Sequence, residues 1–145
     1  MEAGYTLTLD TAPSAEDIQV VRDGLSRHAL PFTPFPGFQS IGVFLRDDRG
    51  IVVGGAVGRI NWNWLDVYLV WVDERLRAGG WGRRLMEAIE AAAVARGCTD
   101  AHLDTFSYQA RPFYERLGYR VFAQLDDYPT GHRRFYLRKR LAARG

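Results

Sequence analysis

A chain of 145 residues, 47% hydrophobic and 25% charged, is long enough to bury one core without cross-links, which excludes a disordered chain or a disulfide-stapled miniprotein. The formal net charge is +2 and basic residues alternate with acids, which argues against a nucleic-acid partner; for the runs Arg133-Arg134 and Arg138-Lys139-Arg140 a charge-protected edge strand and a basic patch both remain open. One cysteine, Cys98, rules out an internal disulfide and a thiolate cluster, and no apolar run reads as a leader or a membrane span, so the expected compartment is the cytoplasm.

Tyr5 to Leu9 alternates and predicts a first strand. Ser14 stands three before Asp17, a variant capping box, and Ile18, Val21 and Leu25 follow at helical spacing, so a helix is expected over about residues 15–29. Pro31, Pro34 and Pro36 then exclude regular structure through Gly37; Phe32, Phe35 and Phe38 on this segment either cap the core or wall a binding cleft. Ser40–Arg46 and Ile51–Ile60 read as strands joined by the turn Asp47-Asp48-Arg49-Gly50, and Gly54, Gly55 and Gly58 imply a bulge or a close backbone approach in the second. Asn61-Trp62-Asn63 leads tightly into the strand Leu65–Val72, whose alternation puts Val67, Leu69 and Trp71 on one face and Asp66, Tyr68, Val70 and Val72 on the other.

Leu85, Ile89, Ala92 and Ala93 mark an amphipathic helix that Gly97 ends. Ala101–Thr105 is the next strand, parallel to Leu65–Val72 because a helix connects them. A short helix from Gln109 to Leu117 and a hairpin of Tyr119–Ala123 with Arg134–Arg140 complete the chain. The order β-α-β-β-β-α-β-α-β-β makes one domain of α+β (mixed α/β) class, its mixed sheet of about seven strands carrying helices on both faces. By itself that order names no function.

Between the central strand and its helix lies Arg77-Ala78-Gly79-Gly80-Trp81-Gly82. A glycine-rich loop entering a helix gathers free backbone N–H groups at the positive end of the helix dipole, which is an anion site. No Lys-Ser/Thr follows, so it is no P-loop, and Leu85 stands where a dinucleotide fingerprint needs its third glycine. An ordinary glycine-rich turn is the alternative.

The R-x-x-G-x-G string resembles the acyl-CoA pyrophosphate loop of the GCN5-related N-acetyltransferases (GNAT). Downstream, Ala110-Arg111-Pro112-Phe113-Tyr114-Glu115-Arg116-Leu117-Gly118-Tyr119 is similar to a second motif of that family, A-x-x-F-Y-x-x-x-G-Y. With both motifs in order, the chain from about residue 5 to 141 resembles the family throughout, with the Pro/Phe loop in place of a second helix. Leu103-Asp104-Thr105-Phe106-Ser107-Tyr108-Gln109-Ala110, with Asp127-Tyr128-Pro129-x-Gly131-His132, is similar to a bacterial branch that includes small-amine acetyltransferases.

The resemblance implies acetyl-CoA as cofactor and a primary amine as acceptor. It implies that Val70, Trp71 and Val72 pair with pantetheine through their backbone, and that Arg77, Ala78, Gly79, Gly80, Trp81, Gly82 and Arg83 hold the pyrophosphate. Tyr114 matches the family tyrosine beside the cofactor sulfur; a phenol of pKa about 10 stays neutral beside a thiol of about 8.5 and can hydrogen-bond the departing thiolate. A core aromatic is its other reading. Asp66 is expected either to be the general base, acting through water, or to make a structural hydrogen bond at a strand end; Asp104 is the alternative base, and Tyr68 stands where the similar branch often carries an acid. Acceptor contacts are expected from Phe32, Phe35, Trp62, Tyr68, Asp127 and Tyr128, an acid-and-aromatic set suited to a small cationic amine, with an exposed turn as the other reading of Asp126-Asp127. No metal is implied, and a homodimer stays open. So do a non-catalytic acyl-CoA sensor and an enzyme acting on protein lysines or N-termini.

Overall fold

A computed structural model describes residues 4–33 and 38–143. The chain divides into two compact units, Met1–Gly37 and Phe38–Gly145. The first holds helix α1 (Ala15–Ala29), whose start follows from capping: Ser14 Oγ accepts from the Asp17 N–H at 3.0 Å, with Glu16 and Asp17 in the first turn and Arg27 and His28 in the last, as the helix dipole favours. Tyr5–Leu9 forms no strand, contrary to the alternation. Alternation supplies a face, but a strand exists only where a neighbour takes its N–H and C=O groups, and no ladder reaches these residues. Phe35 lies outside the described residues.

The second unit carries the sheet: β1 (Phe38–Arg46), β2 (Val52–Asn61), β3 (Trp64–Val72), β4 (Asp100–Phe106), β5 (Arg120–Asp126) and β6 (Arg133–Arg140), in the order β1-β2-β3-β4-β6-β5. Six strands stand where about seven were expected. Only β3 and β4 run parallel. The β1–β2 turn closes on Asp47, whose Oδ1 accepts from the N–H groups of Arg49 and Ile51, both at 2.9 Å. Helices α2 (Trp81–Ala95) and α3 (Arg111–Arg116) fill one core with the sheet: Leu85, Met86, Ile89 and Ala93 of α2 are buried among Leu65, Val67, Leu103, Leu137 and the α3 residue Tyr114. No described helix is long and apolar enough to cross a membrane.

β3 departs from simple alternation. Its register against β2 passes from Val57↔Leu69 to Gly58↔Val67, leaving Tyr68 as an extra, bulged residue. The bulge inverts the phase: Leu65 and Val67 are buried, but beyond Tyr68 it is Val70 and Val72 that pack on the core, while Leu69 (59%) and Trp71 (51%) are exposed. Val67, Leu69 and Trp71 therefore do not share a face. The glycine signal in β2 has its cause here, since a Cβ on Gly58 would stand 2.7 Å from the Asp66 carbonyl oxygen.

Candidate active site

Beyond the bulge, β3 and β4 part. Their parallel pairing runs from Trp64↔Asp100 to Val67↔Leu103 and stops, although β3 continues to Val72 and β4 to Phe106. On the β4 side, the alternate N–H and C=O groups of the continuation have no strand partner. The gap is a cleft of about 660 Å³, walled by Tyr68 to Trp71 on one side and by Asp104 to Phe106 and Tyr108 on the other, with Arg77 and Tyr114 at its lining.

The glycine loop adjoins this cleft. α2 begins at Trp81, and its N-cap Gly80 takes the left-handed conformation (φ +78°) with no side chain capping the turn. The first helical bond is Arg84 N–H to Gly80 C=O at 3.2 Å, so the amides of Gly80, Trp81, Gly82 and Arg83 have no acceptor among the described residues. No acid stands in the first turn to neutralise them. Ala78 also has positive φ (67°). A Cβ on Gly79 would stand 3.2 Å from the Leu76 carbonyl oxygen, and one on Gly82 would stand 3.1 Å from the Phe113 ring. The loop is thus held in shape by contacts that exclude side chains, with a fan of uncommitted donors. Arg77 Nε donates to the Val72 carbonyl at 3.3 Å, which fastens the loop to the end of β3.

At the floor of the cleft is Tyr114, 9% exposed, packed edge-on against Phe113 (5.1 Å) and Tyr119 (6.2 Å). Its hydroxyl has no protein partner among the described residues. Burial, with the negative charge of Asp104 added, pushes its phenol up to about 12. Behind it Tyr119 donates to the buried carboxylate of Glu90 at 2.7 Å, which also receives Lys139 Nζ at 2.8 Å.

The two carboxylates are engaged differently. Asp104 borders the cleft and gives both oxygens to Arg134 (Nε to Oδ1 3.0 Å, Nη2 to Oδ2 2.9 Å). Asp66 is not among the cleft-lining residues; its Oδ2 accepts from Arg59 Nη2 at 3.1 Å, and Oδ1 has only the His102 ring nitrogen at 4.0 Å. Arg59 in turn lies over the Tyr68 ring at 4.4 Å.

Of the expected acceptor residues, Tyr68 lines the cleft. Tyr128 reaches its border indirectly, its hydroxyl accepting from Arg134 Nη1 at 2.7 Å and its ring 5.9 Å from Phe106. Asp127 is spent on its own turn, where Oδ1 accepts from Gly131 N–H at 2.8 Å. Trp62 sits in the β2–β3 turn at positive φ (52°), at the end of β3 where it pairs with β4 and away from the splay. Phe32 belongs to the first unit, its ring 6.4 Å from His28. No role is expected from sequence for the stacked pair Phe106 and Tyr108 (5.4 Å, 4° between planes) or for Gln109, whose Oε1 accepts from the Phe106 N–H at 3.0 Å. Their only signal was membership of the run Leu103–Ala110.

A strand-splayed cleft between a phosphate-ready helix start and a buried tyrosine is the architecture of an acyl-transfer domain, and the Acetyltransferase (GNAT) family matches residues 11–119. The chain belongs to that family. It is similar to blasticidin-S acetyltransferase of Streptomyces morookaense, 45% identical over 85 residues, which is 58% of this chain and 62% of that protein. The chain therefore aligns with about three fifths of that relative's length. An acetyltransferase of Agrobacterium fabrum is 31% identical over 91% of this chain and 96% of its own. A crystal structure of an acetyltransferase from Agrobacterium tumefaciens superposes with a TM-score of 0.86 at 30% identity, covering 94% of this chain and 99% of that one.

Proposed function

We propose that this protein transfers an acetyl group from acetyl-CoA to the primary amine of a small cationic molecule by direct attack. The observation that carries the reading is the arrangement around the cleft: a β3 edge at Val70–Val72 with no strand partner, the Tyr114 hydroxyl at the floor, and Arg77 in the lining, which leads into the loop with uncapped amides at Gly80–Arg83. The residues fit the cofactor's two polar parts. Four free N–H groups without a neighbouring acid suit a pyrophosphate, and the open edge of β3 suits a pantetheine amide chain added as a strand. Bound acetyl-CoA supplies an activated thioester; the protein supplies the rest.

A backbone N–H of the β3 edge polarises the thioester oxygen, where donors held in place cost no reorganisation. Tyr114 donates its hydroxyl proton in a hydrogen bond to the sulfur as negative charge builds there. With its phenol at about 12, complete transfer to a thiolate of about 8.5 is uphill by about 5 kcal/mol, so its part is stabilisation of the departing charge; the base takes one proton from the ammonium before the neutral amine attacks, and the proton that ends on the thiolate is the one the nitrogen loses after the C–N bond forms and the C–S bond breaks. Asp66 is the base, reached through water: its Oδ1 is uncommitted, whereas both oxygens of Asp104 hold Arg134. The acceptor docks against the stacked faces of Phe106 and Tyr108 and against Tyr68, where cation–π attraction favours a cationic amine. The blasticidin-S acetyltransferase likeness supports a small-molecule acceptor.

The test is a calorimetric titration with acetyl-CoA, with ATP and NAD as controls, followed by thiol release against a panel of amines. Saturable binding of acetyl-CoA alone and amine-dependent thiol release are the expected results. Binding without release for any amine would turn the reading toward an acyl-CoA sensor, and absence of binding would overturn it.

A further inference from the structure

The sheet face that carries Asp66 and Arg138 holds a row of charge running across five strands. Strand register places Arg59 opposite Asp66, Asp66 opposite His102, His102 opposite Arg138, and Arg138 opposite Arg120, one rung across β2, β3, β4, β6 and β5. The rung's one carboxylate, Asp66, is taken by Arg59 at its far side. Arg138 and Arg120 are thus like charges directly opposite one another, an arrangement that weakens a sheet unless something offsets it.

Among the described residues neither the Arg120 nor the Arg138 side chain has an ion pair or a hydrogen bond, and the nearby acids are engaged with other groups: Asp100 with Arg140 (3.1 Å) and Thr99, and Glu90 with Lys139 and Tyr119. Arg138 is held in place, over the Trp64 ring at 5.7 Å, and Trp64 is braced edge-on by His102 at 5.8 Å. The two guanidiniums open into a pocket of about 390 Å³ whose other walls are Asp100, Gly118, Lys139 and Arg140. Of the four cationic side chains at its walls, Arg140 is paired with Asp100 and Lys139 with Glu90, which leaves the charges of Arg120 and Arg138, at the end of β6 beside the start of β4. The acetyl-transfer cleft lies at the other end of β4.

We infer that this pocket is a second anion site, separate from the glycine loop, and that it takes a phosphate group. Two adjacent guanidiniums offer paired N–H donors that match the oxygens of a doubly charged phosphate, and the ligand removes the repulsion between Arg120 and Arg138. The chemistry is common to free phosphate and to a terminal phosphate monoester.

The experiment is calorimetry with inorganic phosphate and with phenyl phosphate, on the Gly80→Glu protein so that the glycine loop is closed to anions. One saturable site is expected, weakened about 10- to 100-fold by Arg138→Ser and by Arg120→Ser, each losing charged hydrogen bonds. Tighter binding of phenyl phosphate would assign the pocket to a phosphorylated ligand, and tighter binding of inorganic phosphate to the free ion. No saturable binding, or equal affinity in the serine variants shown by circular dichroism to be folded, would overturn the inference.

Discussion

Tyr114→Phe removes a single oxygen from a side chain that is 9% exposed. That hydroxyl has no protein partner among the described residues, and the ring keeps its contacts with Phe113 and Tyr119, so unfolding free energy near neutral pH should stay within about 0.5 kcal/mol of the parent. Turnover should not stay. A hydroxyl donating to a sulfur that is gaining charge makes a charge-assisted hydrogen bond of about 1.5–3 kcal/mol, so kcat should fall about 10- to 150-fold. The KM for acetyl-CoA should hardly move, because the bond strengthens only as the thiolate forms. The raised phenol adds a signature in pH. Its folded value of about 12 lies above the ordinary 10, so the parent's stability from this group is complete below pH 10 and is lost as pH rises to 12. The loss amounts to about 2.7 kcal/mol, and the phenylalanine variant is immune to it. Thiol-release kinetics from pH 6 to 10 and urea unfolding at pH 7 and 11 give both readouts. Equal losses in kcat and cofactor affinity, or a stability loss at pH 7 large enough to explain the rate, would refute the role.

Gly80→Glu places a carboxylate among the free amides; its Cβ meets nothing within 4 Å and the left-handed φ of +78° costs about 1–2 kcal/mol, too little to unfold the domain, so calorimetry should show acetyl-CoA binding abolished while circular dichroism shows the fold intact. Asp66→Asn should lower kcat/KM by about 100-fold in thiol-release kinetics; a loss of that size in Asp104→Asn alone would move the base to β4. Gly58→Val forces β2 away from the Asp66 carbonyl and should cost more than about 2 kcal/mol in urea unfolding. A midpoint unchanged by that substitution would mean that the bulge is not set by Gly58. Glu90→Ala leaves Lys139 and the Tyr119 hydroxyl without their buried partner and should cost about 3–5 kcal/mol. Thermal unfolding reads the loss directly.

Local signals decided much of this protein. The capping of α1 by Ser14, the Asp47–Gly50 turn, the apolar stripe of α2 and the glycine loop before it are set by residues within a few positions of one another, so they were legible in the chain. The two motifs around Gly80 and Tyr114 likewise carried the family, because each is fixed by backbone demands that only certain residues meet. The failures were all matters of partnership across distance. Tyr5–Leu9 has the pattern of a strand but no ladder. The phase of β3 reverses at Tyr68 because a glycine on the neighbouring strand admits a bulge, and no alternation within β3 announces it. Nor does the chain announce that Arg134 ties Asp104 to Tyr128, residues of separate segments. Sequence by itself determined which segments become helix, turn and glycine loop, since those depend on short-range backbone chemistry. Only the tertiary structure decided which side chains meet in the cleft and which charges are spent, because register, splay and ion pairing are properties of strands far apart in the chain.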